Sequence, residues 1–289
     1  MITGVAVPAV VWHLMLVVGL ELTAADFRRV LLYPKAVAVA TIGQLMLLPL
    51  TAALLIWALK PPPYVTAGLV LVAASPGGAI SNFYAYLARA NVALSVTLTA
   101  VSSLVALAAM PILMSLGFAL FLDPVGRIPV PVAEMAVQLA GMLIFPVALG
   151  MALRRWQRAL VERHARGARR FSLLALAALI GFILLEEYQR LDAGGGSVVI
   201  AAVWFSLIAM AAGWVVGRLA GLDAADRFTL LLEFAARNLA IAALVGIVVL
   251  ERAELVLFAT VFFLVQLPIL LPLVGACAAR AKRRAAPPT

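Results

Sequence analysis

Only one cysteine is present, Cys277, so no disulfide can form within the chain, and no Cys/His group has metal-site spacing. Charge is scarce: Asp, Glu, Lys and Arg make up 12% of the residues, against about a quarter in a soluble domain. Period-two alternation of apolar and polar residues is missing, which argues against a transmembrane β-barrel. No basic region precedes the first apolar segment, and Arg28 and Arg29 come directly after it. It therefore reads as a span, not a cleaved signal peptide. The net charge of +9 does not point to nucleic acid, because Lys and Arg gather between apolar segments, as in cytoplasmic loops.

What is plentiful is apolar. Hydrophobic residues make up 65% of the 289, and the mean hydropathy is +1.12. Apolar segments of roughly 18–25 residues recur along the whole length, each enough to cross a hydrocarbon core of about 30 Å. The expected fold is an all-α integral membrane protein with nine transmembrane helices, at 3–22, 34–59, 64–88, 91–121, 130–153, 171–190, 197–219, 225–250 and 253–276. KPPP at 60–63, DPVGRIP at 123–129 and GGG at 194–196 mark tight connections. The arginine-rich stretch 154–170 reads as a solvated loop near anionic headgroups.

Orientation follows from the basic residues. With the N-terminus outside, seventeen of the 22 fall in inside segments and four (Lys60, Arg127, Arg190 and Arg252) fall outside; Arg237 lies within a span. That asymmetry fits nine crossings in an inner or plasma membrane with a cytoplasmic C-terminus. No separate soluble domain is expected, and 277–289 reads as a short basic tail.

Two spans are interrupted. The third contains SPGG, with Ser81 and Asn82 just beyond it, and the eighth contains EFAARN at 233–238. Unpaired backbone in lipid costs several kcal/mol per group, so such breaks must face protein or a water-filled cavity. Pro76 removes a donor, and Gly77 and Gly78 are expected to swing the chain through unusual dihedrals. A half-helix starting near Ala79 would offer free N–H groups to an anion. If the first group of helices (1–121) lacks its leading helix, the two breaks take equivalent places in it and in the second group (130–276). That is the plan of an inverted-repeat transporter.

VGLELTAADF (18–27), YPKAVAVATIGQLMLLP (33–49), SPGGAISNFYAYLARANVALSVTLTAVSSLV (75–105) and the EFAARN region resemble the bile acid:sodium symporter family. The resemblance covers most of the chain. It implies panel and core domains, two broken helices that cross inside the core, and secondary transport of a small organic anion with sodium as coupling ion. No cofactor is implied. One family sodium site maps to Ser81, Asn82, Ser95, Thr99 and Glu233. The second maps to Gln44, Glu233 and carbonyls near Phe234 and Ala236. The substrate region maps to Ala79, Ile80 and Asn238, with Gln266 from the last span. Ser95 and Thr99 share a helix face, and hard cations prefer such oxygens, with Glu233 supplying the charge. By themselves the two hydroxyls fit ordinary helix packing better; Ser81, Asn82 and Glu233 at the matching positions reverse that reading.

The departures matter. Arg237 stands where the family has a glutamine, four residues from Glu233, so their heads are expected to pair. At about 4 Å, two unit charges interact by about 4 kcal/mol at an effective dielectric of about 20. Arg237 is therefore expected to replace the second sodium and reduce or abolish sodium coupling. Ala79 replaces a common threonine, and Gln266–Leu267 a common His-Asn pair, which disfavours bile-acid-like solutes. Pro268 and Pro272 should bend the last span. His13 reads as a hydrogen-bonded bundle residue. A proton-driven arsenite-type or other solute exporter of a related family is the alternative, but the arsenite family's cysteine would belong in a broken helix and Cys277 is not there. An enzyme is not expected, since only His13, Glu233 and Arg237 lie deep inside spans, away from their ends, and they form no catalytic cluster. Oligomeric state is not specified by the sequence.

Overall fold

The computed structural model describes residues 2–122 and 128–285, so Asp123 to Arg127 of the DPVGRIP connection and residues 286–289 of the basic tail lie outside the described residues. Among the described residues there is no β-strand, and helices follow one another with short turns. The order is α1 (Ile2–Glu21), α2 (Ala24–Arg28), α3 (Pro34–Leu59), α4 (Pro63–Ala74), α5 (Ile80–Ala88), α6 (Val92–Phe121) and α7 (Val132–Leu139). There follow α8 (Phe145–Trp156), α9 (Arg158–Glu186), α10 (Tyr188–Leu219), α11 (Ala224–Ala235), α12 (Leu239–Ala243) and α13 (Glu254–Ala285). π-helical turns at Ala140–Ile144 and Leu244–Val249 continue α7 into α8 and extend α12. The first of these ends two residues before Pro146, whose missing N–H and ring disturb the regular ladder in the preceding turn.

Among the described residues five helices are long and apolar enough to cross a membrane: Pro34–Leu59, Val92–Phe121, Val132–Trp156, Gly196–Leu219 and Glu254–Lys282. A sixth is added if the bent pair Arg158–Ala165 and Arg170–Glu186 is one span. Ala6–Glu21, Pro63–Ala74 and Leu239–Val249 are apolar but shorter. The lipid-facing pattern is plain on α3. Ile42, Met46, Leu50, Leu54 and Trp57 are exposed, while Ala40, Gln44, Leu48 and Thr51 turn inward. In lipid the exposed stripe is the apolar one, and polar side chains hide in the bundle.

Local signals explain most boundaries. Pro34 and Pro63 sit at helix starts, where a missing N–H costs nothing. Lys60 closes α3 in the left-handed conformation, φ 44°. The GGG expectation is corrected: the chain turns at Glu187, and 194–196 lie inside α10. Glycine costs a helix about 1 kcal/mol, less than unpaired backbone at membrane depth. The 154–170 stretch is not a loop either. It is helical except at Gln157, because Arg, Ala, Leu and Glu are good helix formers and Arg158 pairs with Glu162 at 2.7 Å, one turn on. Arg154 Nη1 donates to Leu20 O at 3.1 Å and Glu21 O at 2.5 Å, capping the carbonyl end of α1. α13 runs through Pro268 and Pro272 as one helix and continues past 276 to Ala285.

The helices pack in two groups. α1 lies against α8 and α9, while α3, α4, α6, α10, α11 and α13 pack on one another. His13 of α1 joins the first group together. Its Nε2 is 3.3 Å from Ser172 Oγ, and its ring meets Phe171 edge-on at 4.7 Å. The second group holds both interrupted segments.

Candidate functional site: a crossing of two broken helices

α4 stops at Ala74 because Pro76 forces the residue before it out of helical space; Ser75 is extended at φ −65°, ψ 149°. α11 stops at Ala235, and Ala236 is likewise extended at φ −90°, ψ 98°. The two extended stretches meet. Gly78 N donates to Ala236 O at 2.8 Å, Asn238 N donates to Pro76 O at 3.0 Å, and Gly77 pairs antiparallel with Arg237. Each break thus satisfies backbone groups that the other leaves open, which is what burial at membrane depth requires.

The glycines serve contact rather than conformation. Among the described residues only Gly221 is a glycine with positive φ, so the expected unusual dihedrals are absent at Gly77 and Gly78. A Cβ on Gly78 would lie 2.8 Å from Arg237 O, and one on Gly77 would lie 2.7 Å from Glu233 Oε2. Only a residue without a side chain lets the chains approach this closely.

Around this crossing the expected oxygens converge. Glu233 is fully buried. Its Oε1 accepts hydrogen bonds from Ser81 Oγ, from Ser95 Oγ at 2.6 Å and from Thr99 Oγ1 at 3.1 Å; Thr99 also reaches Oε2 at 3.3 Å. Asn82 Oδ1 accepts from Ser95 at 2.9 Å and Thr99 at 3.3 Å. Three hydroxyls have three protons to share among more oxygen neighbours than those protons can serve. One carboxylate, one amide oxygen and three hydroxyls suit a hard monovalent cation such as sodium. The structure therefore brings Ser81, Asn82, Ser95, Thr99 and Glu233 into one place.

Arg237 does not join them as expected. Among the described residues no hydrogen bond links its head to the Glu233 carboxylate. Its Nη1 donates to Gln44 Oε1 at 2.7 Å and to the backbone carbonyl of Glu233 at 3.3 Å, and its Nη2 donates to the carbonyl of Ser75. The i, i+4 pairing fails because Arg237 is not on the helix that carries Glu233; α11 has already ended. Three oxygens from three segments surround the guanidinium instead.

The profile of the sodium bile acid symporter family matches residues 8–191. The chain belongs to that family. The rice chloroplast protein named "Probable sodium/metabolite cotransporter BASS1" is 32% identical over 226 residues, covering 78% of this chain and 54% of that protein. The "Uncharacterized sodium-dependent transporter YocS" of Bacillus subtilis is 26% identical over 220 residues, 76% of this chain and 67% of that protein. The human "Ileal sodium/bile acid cotransporter" is 28% identical over 191 residues, 65% and 53% respectively. The chain spans about half the length of the first relatives that it matches. The family and these relatives are membrane transporters, not enzymes.

The remaining symporter-like positions divide. Ala79 caps the start of α5 without a side-chain bond, and Ile80 opens it, half-buried against a second apolar cluster that includes Tyr84 and Leu270. Asn238 caps α12, its Oδ1 accepting from Ile241 N at 3.2 Å, and lines a small cavity with Arg237, Phe262 and Phe263. Gln266 is fully buried in α13, and neither of its amide atoms has a partner among the described residues. Three residues escaped the sequence reading. Ser102 Oγ accepts from Gly77 N at 3.1 Å and donates to Thr99 O at 3.1 Å. Its spacing from Ser95 and Thr99, seven and three residues, is the signal that marks it. Ser75 acts through its carbonyl, for which sequence gives no signal. Thr41 lies one turn before Gln44 on the same face of α3 and lines a cavity with it.

Proposed function

We propose that the protein is a secondary active transporter of a small organic anion, in which one sodium ion binds at the Glu233 cluster and Arg237 supplies the charge of a second. The observation that carries this reading is the seat of the guanidinium: Gln44 Oε1, the carbonyl of Glu233 and the carbonyl of Ser75 surround it with oxygens. That is the environment a hard cation would otherwise require. One carboxylate, one bound sodium and one guanidinium leave a single positive charge, matched by a monovalent organic anion.

The residues have distinct tasks. Ser81, Asn82, Ser95, Thr99 and Glu233 hold the ion; Gln44 and Arg237 occupy the second position permanently; Ala79, Ile80, Asn238 and Gln266 shape the solute region. α1, α7–α8 and α9 form the panel, and the other long helices form the core that moves against it. The nine helical groups cross an inner membrane, N-terminus outside and C-terminus cytoplasmic, as repeats at 1–121 and 130–276. The tie between the two breaks supports this arrangement, since paired half-helices are how inverted-repeat transporters build a midplane site.

Counterflow uptake in proteoliposomes tests the reading, with monocarboxylates, sulfonates and steroid conjugates offered in the presence and absence of sodium. A small organic anion that exchanges in a sodium-stimulated manner is the expected result. Exchange by none of these anions would remove the proposal.

A further inference from the structure

Beside the crossing, between α3, α4 and α6, lies a cavity lined by Thr41, Gln44, Ser75, Ser102, Leu113 and Arg237. Three polar atoms of its lining residues are buried without a hydrogen-bond partner among the described residues: Arg237 Nε, Gln44 Nε2 and Thr41 Oγ1. Gln44 and Arg237 are themselves 4% and 6% exposed, so solvent does not reach them freely. Gln44 Oε1 is already taken by Arg237, so only the N–H donors of that amide remain. Ser102 is spent in both directions, accepting from Gly77 and donating to Thr99. The unmet groups are therefore a guanidinium N–H, an amide NH2 and a hydroxyl. Leaving such groups bare is costly, most of all for a charged one. The carboxylate of Glu233 does not relieve them, because its hydrogen bonds run to Ser81, Ser95 and Thr99.

We propose that this cavity holds a small monovalent anion, with Arg237 Nε, Gln44 Nε2 and Thr41 Oγ1 as its donors. Donors without acceptors select a negative ligand, and a guanidinium favours it further. Inorganic chloride and the carboxylate head of a solute share that chemistry. The space suits an ion or a head group, not a whole organic anion. The inference rests on the reading of Arg237 as a fixed cation. It adds an anion dependence that a site built for two sodium ions would not have.

The test uses the full chain in detergent, in sodium sulfate, whose divalent anion is not the monovalent ligand proposed, titrated with sodium chloride or sodium formate while total sodium stays constant. Thermal unfolding is the readout. A saturable rise in unfolding temperature with chloride alone supports an inorganic ion; a rise with formate supports a carboxylate head. In Thr41→Val the midpoint concentration should increase about tenfold, the worth of one hydrogen bond to a charged ligand. In Arg237→Gln the response should vanish. Identical behaviour in sulfate, chloride and formate would overturn the proposal, as would unchanged titrations in both variants. Sodium is fixed throughout, so either failure leaves the sodium count per protein untouched.

Discussion

Glu233 and Arg237 stand four residues apart, and their charged heads keep separate company. The carboxylate faces Ser81, Ser95 and Thr99, while the guanidinium faces Gln44 and the carbonyls of Ser75 and Glu233. The break at Ala236 lies between them and turns the two side chains to different partners. A direct ion pair would have neutralised the carboxylate. Separation leaves it free to bind a cation while the guanidinium stays fixed.

Arg237→Gln should open the second position. Its amide would restore a neutral lining beside Gln44, and the sodium dependence of transport should steepen. The Hill coefficient is expected to rise from about one to about two. Uptake at varied sodium in proteoliposomes reads it directly.

Ser95→Ala and Thr99→Val each remove one oxygen beside Glu233. A hydrogen bond or ligand contact to a charged group is worth about 1.5–3 kcal/mol. Sodium affinity should therefore fall at least about tenfold in each variant. Ser103→Ala is the control, since Ser103 donates to Thr99 O at 2.8 Å and does not touch the carboxylate. Its sodium affinity should be unchanged in isotope binding.

Gly78→Ala tests the crossing itself. Its added methyl would press on Arg237 O and C, which are backbone atoms and cannot swing aside. Overpacking of this kind costs about 1–3 kcal/mol, visible as a lower unfolding temperature. Gly181→Ala meets nothing within 4 Å and sits inside α9. It should leave the unfolding temperature unchanged or raise it, because alanine favours a helix over glycine by about 1 kcal/mol.

Gln266→Leu should separate stability from transport. Both amide atoms of Gln266 are buried and without a partner among the described residues. An apolar residue of similar size should stabilise the protein by about 1–3 kcal/mol. If Gln266 meets the solute, transport KM should rise in the same variant; thermal unfolding and uptake kinetics together read the two effects.

Much of the crossing was legible in the sequence, for a physical reason. In a chain this apolar, Ser81, Asn82, Ser95, Thr99 and Glu233 stand out within spans, and polar groups at that depth must converge. Pro76 announced a break that the structure carries. The direction of Arg237 was not legible, because i, i+4 pairing holds only while the helix lasts, and α11 ends two residues too soon. The role of Gly77 and Gly78 was misread for a similar reason. Sequence reveals that a glycine permits unusual dihedrals, but not that a side chain on Gly77 would meet the Glu233 carboxylate or one on Gly78 the backbone of Arg237. GGG at 194–196 looked like a turn because local propensity was weighed without the helix it belongs to.

Equilibrium binding of radioactive sodium to the purified protein, counted per chain at saturation, is the most direct test of the fixed cation. One ion per chain, rising to two in Arg237→Gln, is the predicted result. Two ions in the unaltered protein would contradict it.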